Sequence, residues 1–200
     1  MAEATAIPWE LLRDPRTEQE LALGAAAFVR RQSAGAVPAH RPTLKKNQPL
    51  RVLLVICRPG GAQDVAFRSV ASRLIKGLTD AGRDRVDLTV LRPPTFAQLG
   101  RTLAAARQAG APFHLVHFDG HGDYGVLVDE AGAATEDSTT FQRHKYRFRR
   151  LDQNGQGFLL FEDPDADDNL ALVDGRTLGQ VLHQHGVAAL VLNACRSAHA

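Results

Sequence analysis

Cysteine is scarce in this chain: Cys57 and Cys195 are the two present in 200 residues. So few exclude the disulfide-stapled secreted scaffold. The start, MAEATAIPWELL, has no basic segment leading into an apolar one. No secretory signal is read there, and a cytoplasmic location is expected. Long apolar runs are missing too. The longest are strand-sized pieces such as VLLVIC, well short of the roughly 20 residues that cross a bilayer, so no membrane partner is expected. Nor does one sign of charge dominate: the formal net charge is +2 and the pI about 8.7, too mild a basic excess to make nucleic acid an expected partner. A set of three or four converging metal ligands is also lacking. The acidic run EDPDADDN (162–169) does not follow EF-hand spacing and reads as an Asp-rich turn.

What is present suits one α/β core, since 44% hydrophobic residues over this length can bury a single interior. Residues 1–32 form an N-terminal segment, in which PWELL suggests a brief helix opened by Pro8. LALGAAAFVR is open between a helix and one or two strands. Residues 33–49, with three prolines and no sustained apolar period, read as a connector. The core is then 50–200.

Within the core RVLLVIC (51–57) is apolar on both faces, as a strand covered by helices on each side should be. Asp64 can cap a helix carrying Phe67, Val70, Ala71, Leu74, Ile75 and Leu78 inward. VDLTVL (86–91) is a second strand. Thr95 and Gln98 then stand in capping-box spacing before a helix with Phe96, Leu99, Leu103 and Ala106 on one face, stopped by Gly110. FHLVHF (113–118) is a third strand. Asp174 opens another helix, with Leu178, Val181 and Leu182 inward, which ends at Gly186 before the strand VAALVLN (187–193). Alternation of this kind predicts an open, mostly parallel sheet with helices on both faces. Residues 123–173 interrupt it, with one predicted strand, GFLLFE (157–162), and a polar stretch at about 130–156 that reads as an insertion.

Ligands in such sheets bind beyond the carboxyl ends of the strands. Two reactive side chains fall there: His121 after the third strand and Cys195 after the last. If those strands are neighbours, the two face one crevice, and a cysteine beside an imidazole is the smallest nucleophilic pair for acyl transfer. Gly122, having no side chain, lets its N–H approach a substrate carbonyl, and with the N–H of Cys195 it could form an oxyanion hole. The group that orients His121 is open among Asp119, Asp123 and a backbone carbonyl.

These residues give the chain a resemblance to clan CD cysteine peptidases, the caspase-like group, in which one apolar block ends in His-Gly and a later one in Ala-Cys. Here the blocks are FHLVHFDGHG and AALVLNAC. The chain resembles CHAT domains more closely, bacterial caspase-like modules often joined to tetratricopeptide repeats, through IPWELLRDP, VHFDGHG, GFLLFED and LVLNACRSA. The resemblance implies a caspase–hemoglobinase fold, His121 and Cys195 as a catalytic dyad, no cofactor, and an endopeptidase acting on a protein or peptide partner. It also implies that further strands follow the cysteine; the chain stops five residues after Cys195, so it is expected to lack them.

Other readings compete. Gly120, Gly122 and Gly125 fit G-x-G-x-x-G, yet the sequence after Gly125 has no helical face to receive a dinucleotide. PGGAQD after the first strand is a weak anion-loop candidate. Cys57 reads as a small buried hydrophobe; the sheet order that the resemblance implies puts a strand between it and Cys195, beyond disulfide reach. His114, His117, His183 and His185 read as satisfied packing histidines. RHKYRFRR (143–150) could bind acidic substrate or RNA, be a solvated basic loop, or be a processing site. The expected function is a cysteine endopeptidase; the alternatives are a catalytically inactive protein-interaction module and a nucleotide-binding α/β domain.

Overall fold

The apolar segment RVLLVIC lies in strand β1 (Leu50–Ile56) of a computed structural model that describes residues 13–19, 48–61, 64, 85–128, 147–150 and 155–194. Val52 through Ile56 are all buried, which requires cover on both faces of the strand. Parallel pairing joins β1 on one side to β2 (Val86–Val90) and on the other to β3 (Leu115–Asp119); β8 (Ala189–Asn193) lies beyond β3, giving the order β2-β1-β3-β8. The expected α/β fold with a parallel sheet is observed. The helix expected after Asp64 lies outside the described residues.

Helix α1 (Phe96–Gln108) starts where the sequence places it. Thr95 Oγ1 accepts from Gln98 N at 3.2 Å. The Gln98 side chain bonds Arg101 and Thr102 along the helix, so only the threonine half of the capping box forms. Helix α2 (Gly175–Gln184) is capped by Asp174, whose carboxylate accepts from Thr177 N at 2.9 Å and Thr177 Oγ1 at 2.7 Å. Gly110 and Gly186 end the two helices with φ of +69° and +72°, a region open to glycine.

A second sheet departs from the expected insertion. β4 (His121–Val128), β5 (Arg147–Arg150), β6 (Gln156–Glu162) and β7 (Leu170–Asp174) form an antiparallel sheet in the order β5-β4-β6-β7. Only β6 was legible as a strand. β5 occupies part of the polar stretch, because ladder hydrogen bonds from β4 organise a backbone whose side chains carry no apolar period.

One apolar cluster unites the elements. Leu53, Val55, Val116 and Phe118 of the parallel sheet meet Leu99 and Leu103 of α1, Leu178 and Leu182 of α2, and Leu159, Phe161 and Val173 of β6 and β7. The rings of Phe118 and Phe161 lie 5.1 Å apart, and those of Phe96 and Phe161 5.5 Å, edge to face. Phe158, Leu127 and Leu172 point the other way and form a smaller cluster. This packing fills the unit His40–Ala200; the chain's other compact unit is Met1–Ala39, where Asp14 Oδ1 accepts from Arg16 N at 2.8 Å in a tight turn.

Gly120 joins the two sheets. A Cβ there would stand 2.9 Å from Phe118 Cζ and 3.3 Å from Cys57 Cβ, closer to the ring than atoms approach. The residue is glycine because the core leaves no room for more.

His114 sits at the opposite end of β3. Its Nδ1 accepts from Arg51 N at 2.9 Å, and burial, together with the nearby Arg51 charge, lowers its pKa. A histidine harder to protonate when folded supports stability fully above the unfolded value of about 6.5 and progressively less as pH falls below it.

Three outcomes follow. Thr95→Ala should lower the unfolding free energy by about 1 kcal/mol through loss of the cap. Gly120→Ala should lower it by about 1–3 kcal/mol through overpacking. Both are read by denaturant titration. The melting temperature should decline as pH falls from 7 to 5, and His114→Asn, which keeps an acceptor but does not titrate, should flatten that decline in calorimetry.

Candidate functional site

Register brings three strand ends level. Ile56 of β1 pairs with Asp119 of β3, and Asp119 pairs with Asn193 of β8. The ladder continues one step further: Cys57 N donates to Asp119 O at 3.0 Å and Gly120 N to Asn193 O at 3.1 Å. Beyond this edge the chain supplies Arg58, His121 and, two residues after Asn193, Cys195. The placement of Cys195 lies outside the described residues.

Both carboxylate oxygens of Asp119 accept hydrogen bonds. Arg58 Nη2 donates to its Oδ2 and Asn193 Nδ2 to its Oδ1, each at 2.5 Å, while Arg58 Nη1 donates to the carbonyls of Asp119 at 2.9 Å and Cys57 at 2.7 Å. The side chains of Arg58 and Asp119 are only 12% and 3% exposed, so little water screens the pair. Arg58 N in turn donates to Glu162 Oε1 at 2.9 Å, tying the end of β6 to the same edge. Among the described residues the partners of the Asp119 carboxylate are thus Arg58 and Asn193, and His121 is not one of them. Asp123 Oδ1 accepts from Tyr124 N at 2.8 Å, a local turn of its own carboxylate.

The carboxylate beside His121 is Asp64. His121 Nε2 lies 2.6 Å from Asp64 Oδ1, across 57 residues of sequence. Sequence reasoning considered Asp64 only as a helix cap, and no local signal could have paired it with the histidine. With Asp64 ionised, and so able only to accept, this bond would place the proton on Nε2 and leave Nδ1 as the ring's acceptor. The Asp64 side chain is 3% exposed and that of His121 39%, so a buried carboxyl group holds one edge of a ring that is partly open to solvent.

Gly122 stands opposite Leu159 in the pairing of β4 with β6. The glycines at 120, 122 and 125 therefore lead into a strand, and no helix N-terminus is there to receive a phosphate. The described amides of the PGGAQD segment have partners nearby in the chain: Gly60 N donates to Asp64 Oδ2 at 3.3 Å, Gly61 N to Arg58 O at 2.9 Å and Asp64 N to Gly61 O at 3.2 Å.

Cys57 is buried and free, with its thiol donating to Pro94 O at 3.3 Å. Desolvation raises its pKa far above the ordinary thiol range, so it stays protonated and inert. β3 separates its strand from β8. Two histidine readings need correction. His117 Nε2 is buried without a hydrogen-bond partner, and burial lowers that residue's pKa. His183 lies exposed in the last turn of α2 rather than packed.

The acidic run does form a turn. Asp163 O accepts from Ala166 N at 3.0 Å, Asp163 Oδ1 accepts from Asp165 N at 3.2 Å, and Asn169 closes the turn at φ +50°. Among the described residues no group of three or more His, Cys, Asp or Glu side chains could hold a metal ion, and no helix is long and apolar enough to cross a membrane.

The CHAT domain family matches this sequence over residues 1–200. No curated protein and no solved structure matches it. With the α/β architecture and the matched ends of β3 and β8 already described, the family match leads to one conclusion: the chain belongs to the CHAT domain family, caspase-like and related to the clan CD cysteine peptidases.

Proposed function

We propose that residues 50–200 form a cysteine endopeptidase domain that cleaves a protein or peptide partner in the cytoplasm, with His121 and Cys195 as its dyad. The observation that carries this reading is the pairing of Asp119 with Asn193, each two residues before one member of the dyad. Side chains leaving adjacent parallel strands at the same level share one crevice.

In this reading His121 takes the proton of the Cys195 thiol, and the thiolate attacks the scissile carbonyl. The N–H groups of Gly122 and Cys195 donate to the oxyanion of the tetrahedral intermediate. His121 then protonates the leaving amine, and water, deprotonated by the same imidazole, releases the acyl group. No metal or organic cofactor enters these steps.

Cys57 provides an internal standard, being buried and held protonated by desolvation. Iodoacetamide should label Cys195 at pH 6.5 at least about tenfold faster than an unperturbed thiol of pKa about 8.5 and leave Cys57 untouched. His121→Ala should remove that advantage. Mass spectrometry of the labelled peptides reads both sites. Labelling of Cys195 at the ordinary rate, indifferent to His121, would replace the peptidase by a catalytically inactive interaction module.

A further inference from the structure

We propose that Asp64 is the positioning residue of the dyad: it acts through His121, fixing which ring nitrogen is protonated and holding the imidazole as it becomes charged. This inference rests on the peptidase reading above.

Three observations carry it. First, both oxygens of the Asp64 carboxylate are directed. Oδ1 lies 2.6 Å from His121 Nε2 and Oδ2 accepts from Gly60 N at 3.3 Å. The loop that supplies it is itself pinned, by Gly61 N to Arg58 O at 2.9 Å and by the positive φ of Gly61. Second, the burial is asymmetric. A carboxylate with 3% exposure and a ring with 39% is the arrangement in which the acid orients and the base works. Third, the hydrogen bonds shown for the other carboxylates of this edge go to groups other than the ring. Asp119 is held by Arg58 and Asn193, Glu162 receives Arg58 N, and Asp123, two residues along β4, accepts from Tyr124 N.

The chemistry follows from the geometry. With its proton on Nε2, the neutral imidazole presents Nδ1 as the acceptor for the thiol proton. When that proton arrives, both nitrogens carry hydrogen and the ring is positive. A buried carboxylate in contact with Nε2 favours this charged form and, with it, the thiolate. Proton and charge balance: the thiol loses what the ring gains, and Asp64 remains ionised throughout.

The test is the pH profile of Cys195 alkylation by iodoacetamide in the full chain, between pH 5 and 9, for the native protein and Asp64→Asn, Asp64→Ala, Asp64→Glu and His121→Ala. Asp64→Asn keeps the shape and the acceptor but removes the charge, so a purely structural role would leave the profile unmoved. The expected result is an acid limb displaced upward by about one pH unit in Asp64→Asn, seen as a roughly tenfold slower reaction at pH 6. A larger loss is expected in Asp64→Ala, with partial recovery in Asp64→Glu. Protection of Cys57 in every variant reports that the core is folded; should Asp64→Ala expose it, the isosteric Asp64→Asn decides. Profiles of Asp64→Asn and Asp64→Glu that superimpose on the native one, while His121→Ala is slow, would overturn the role of Asp64 and leave the dyad standing. A native profile indifferent to His121→Ala would overturn the dyad, and the role of Asp64 with it.

Discussion

A buried charge pair organises the edge on which the site depends. The Asp119 carboxylate, at the end of β3, is held from one side by Arg58 after β1 and from the other by Asn193 at the end of β8. Neither Arg58 nor Asp119 has much contact with water, so each needs the other: removing one partner would leave an uncompensated charge in a medium that solvates it poorly. The same guanidinium binds two main-chain carbonyls, and the amide of its residue reaches Glu162 on β6. Four strand ends are thus brought into line by one arginine and one aspartate. Whatever chemistry this edge performs inherits its alignment from them.

The second constraint is steric. Immediately after Asp119 the chain must leave the parallel sheet and enter β4, and it does so at Gly120 beneath the ring of Phe118. That ring also packs on Phe161, so the turn is set by the core shared between the two sheets. His121 is therefore the first residue of a strand and not a loop residue. A side chain launched from paired backbone has less freedom than one on a loop, which suits a ring held against a carboxylate.

Solvation separates the roles of like residues. Burial keeps Cys57 protonated and makes His114 harder to charge. His121 differs in its surroundings: its ring is half open to solvent and in contact with the Asp64 carboxylate. Chain-wide statements about cysteine or histidine say little; which of them can react depends on what surrounds each one.

The amino-acid sequence by itself determined the features governed by neighbours in the chain. The apolar run of β1, the Thr95 and Asp174 caps, the glycine stops at 110 and 186, and the inward residues of both described helices were legible, because cap geometry and apolar period are local properties. So was the position of His121 just past β3. The antiparallel sheet was mostly illegible: glycines in HGDYG hid β4, and arginines in RFRR hid β5, since pairing between distant segments made these strands. Among the residues weighed to orient the histidine, Asp119 and Asp123 were near in sequence, yet the carboxylate in contact came from 57 residues away. Only the tertiary structure could decide that, because the bond exists through the side-by-side register of β1 and β3, and register is settled by the core that both strands bury.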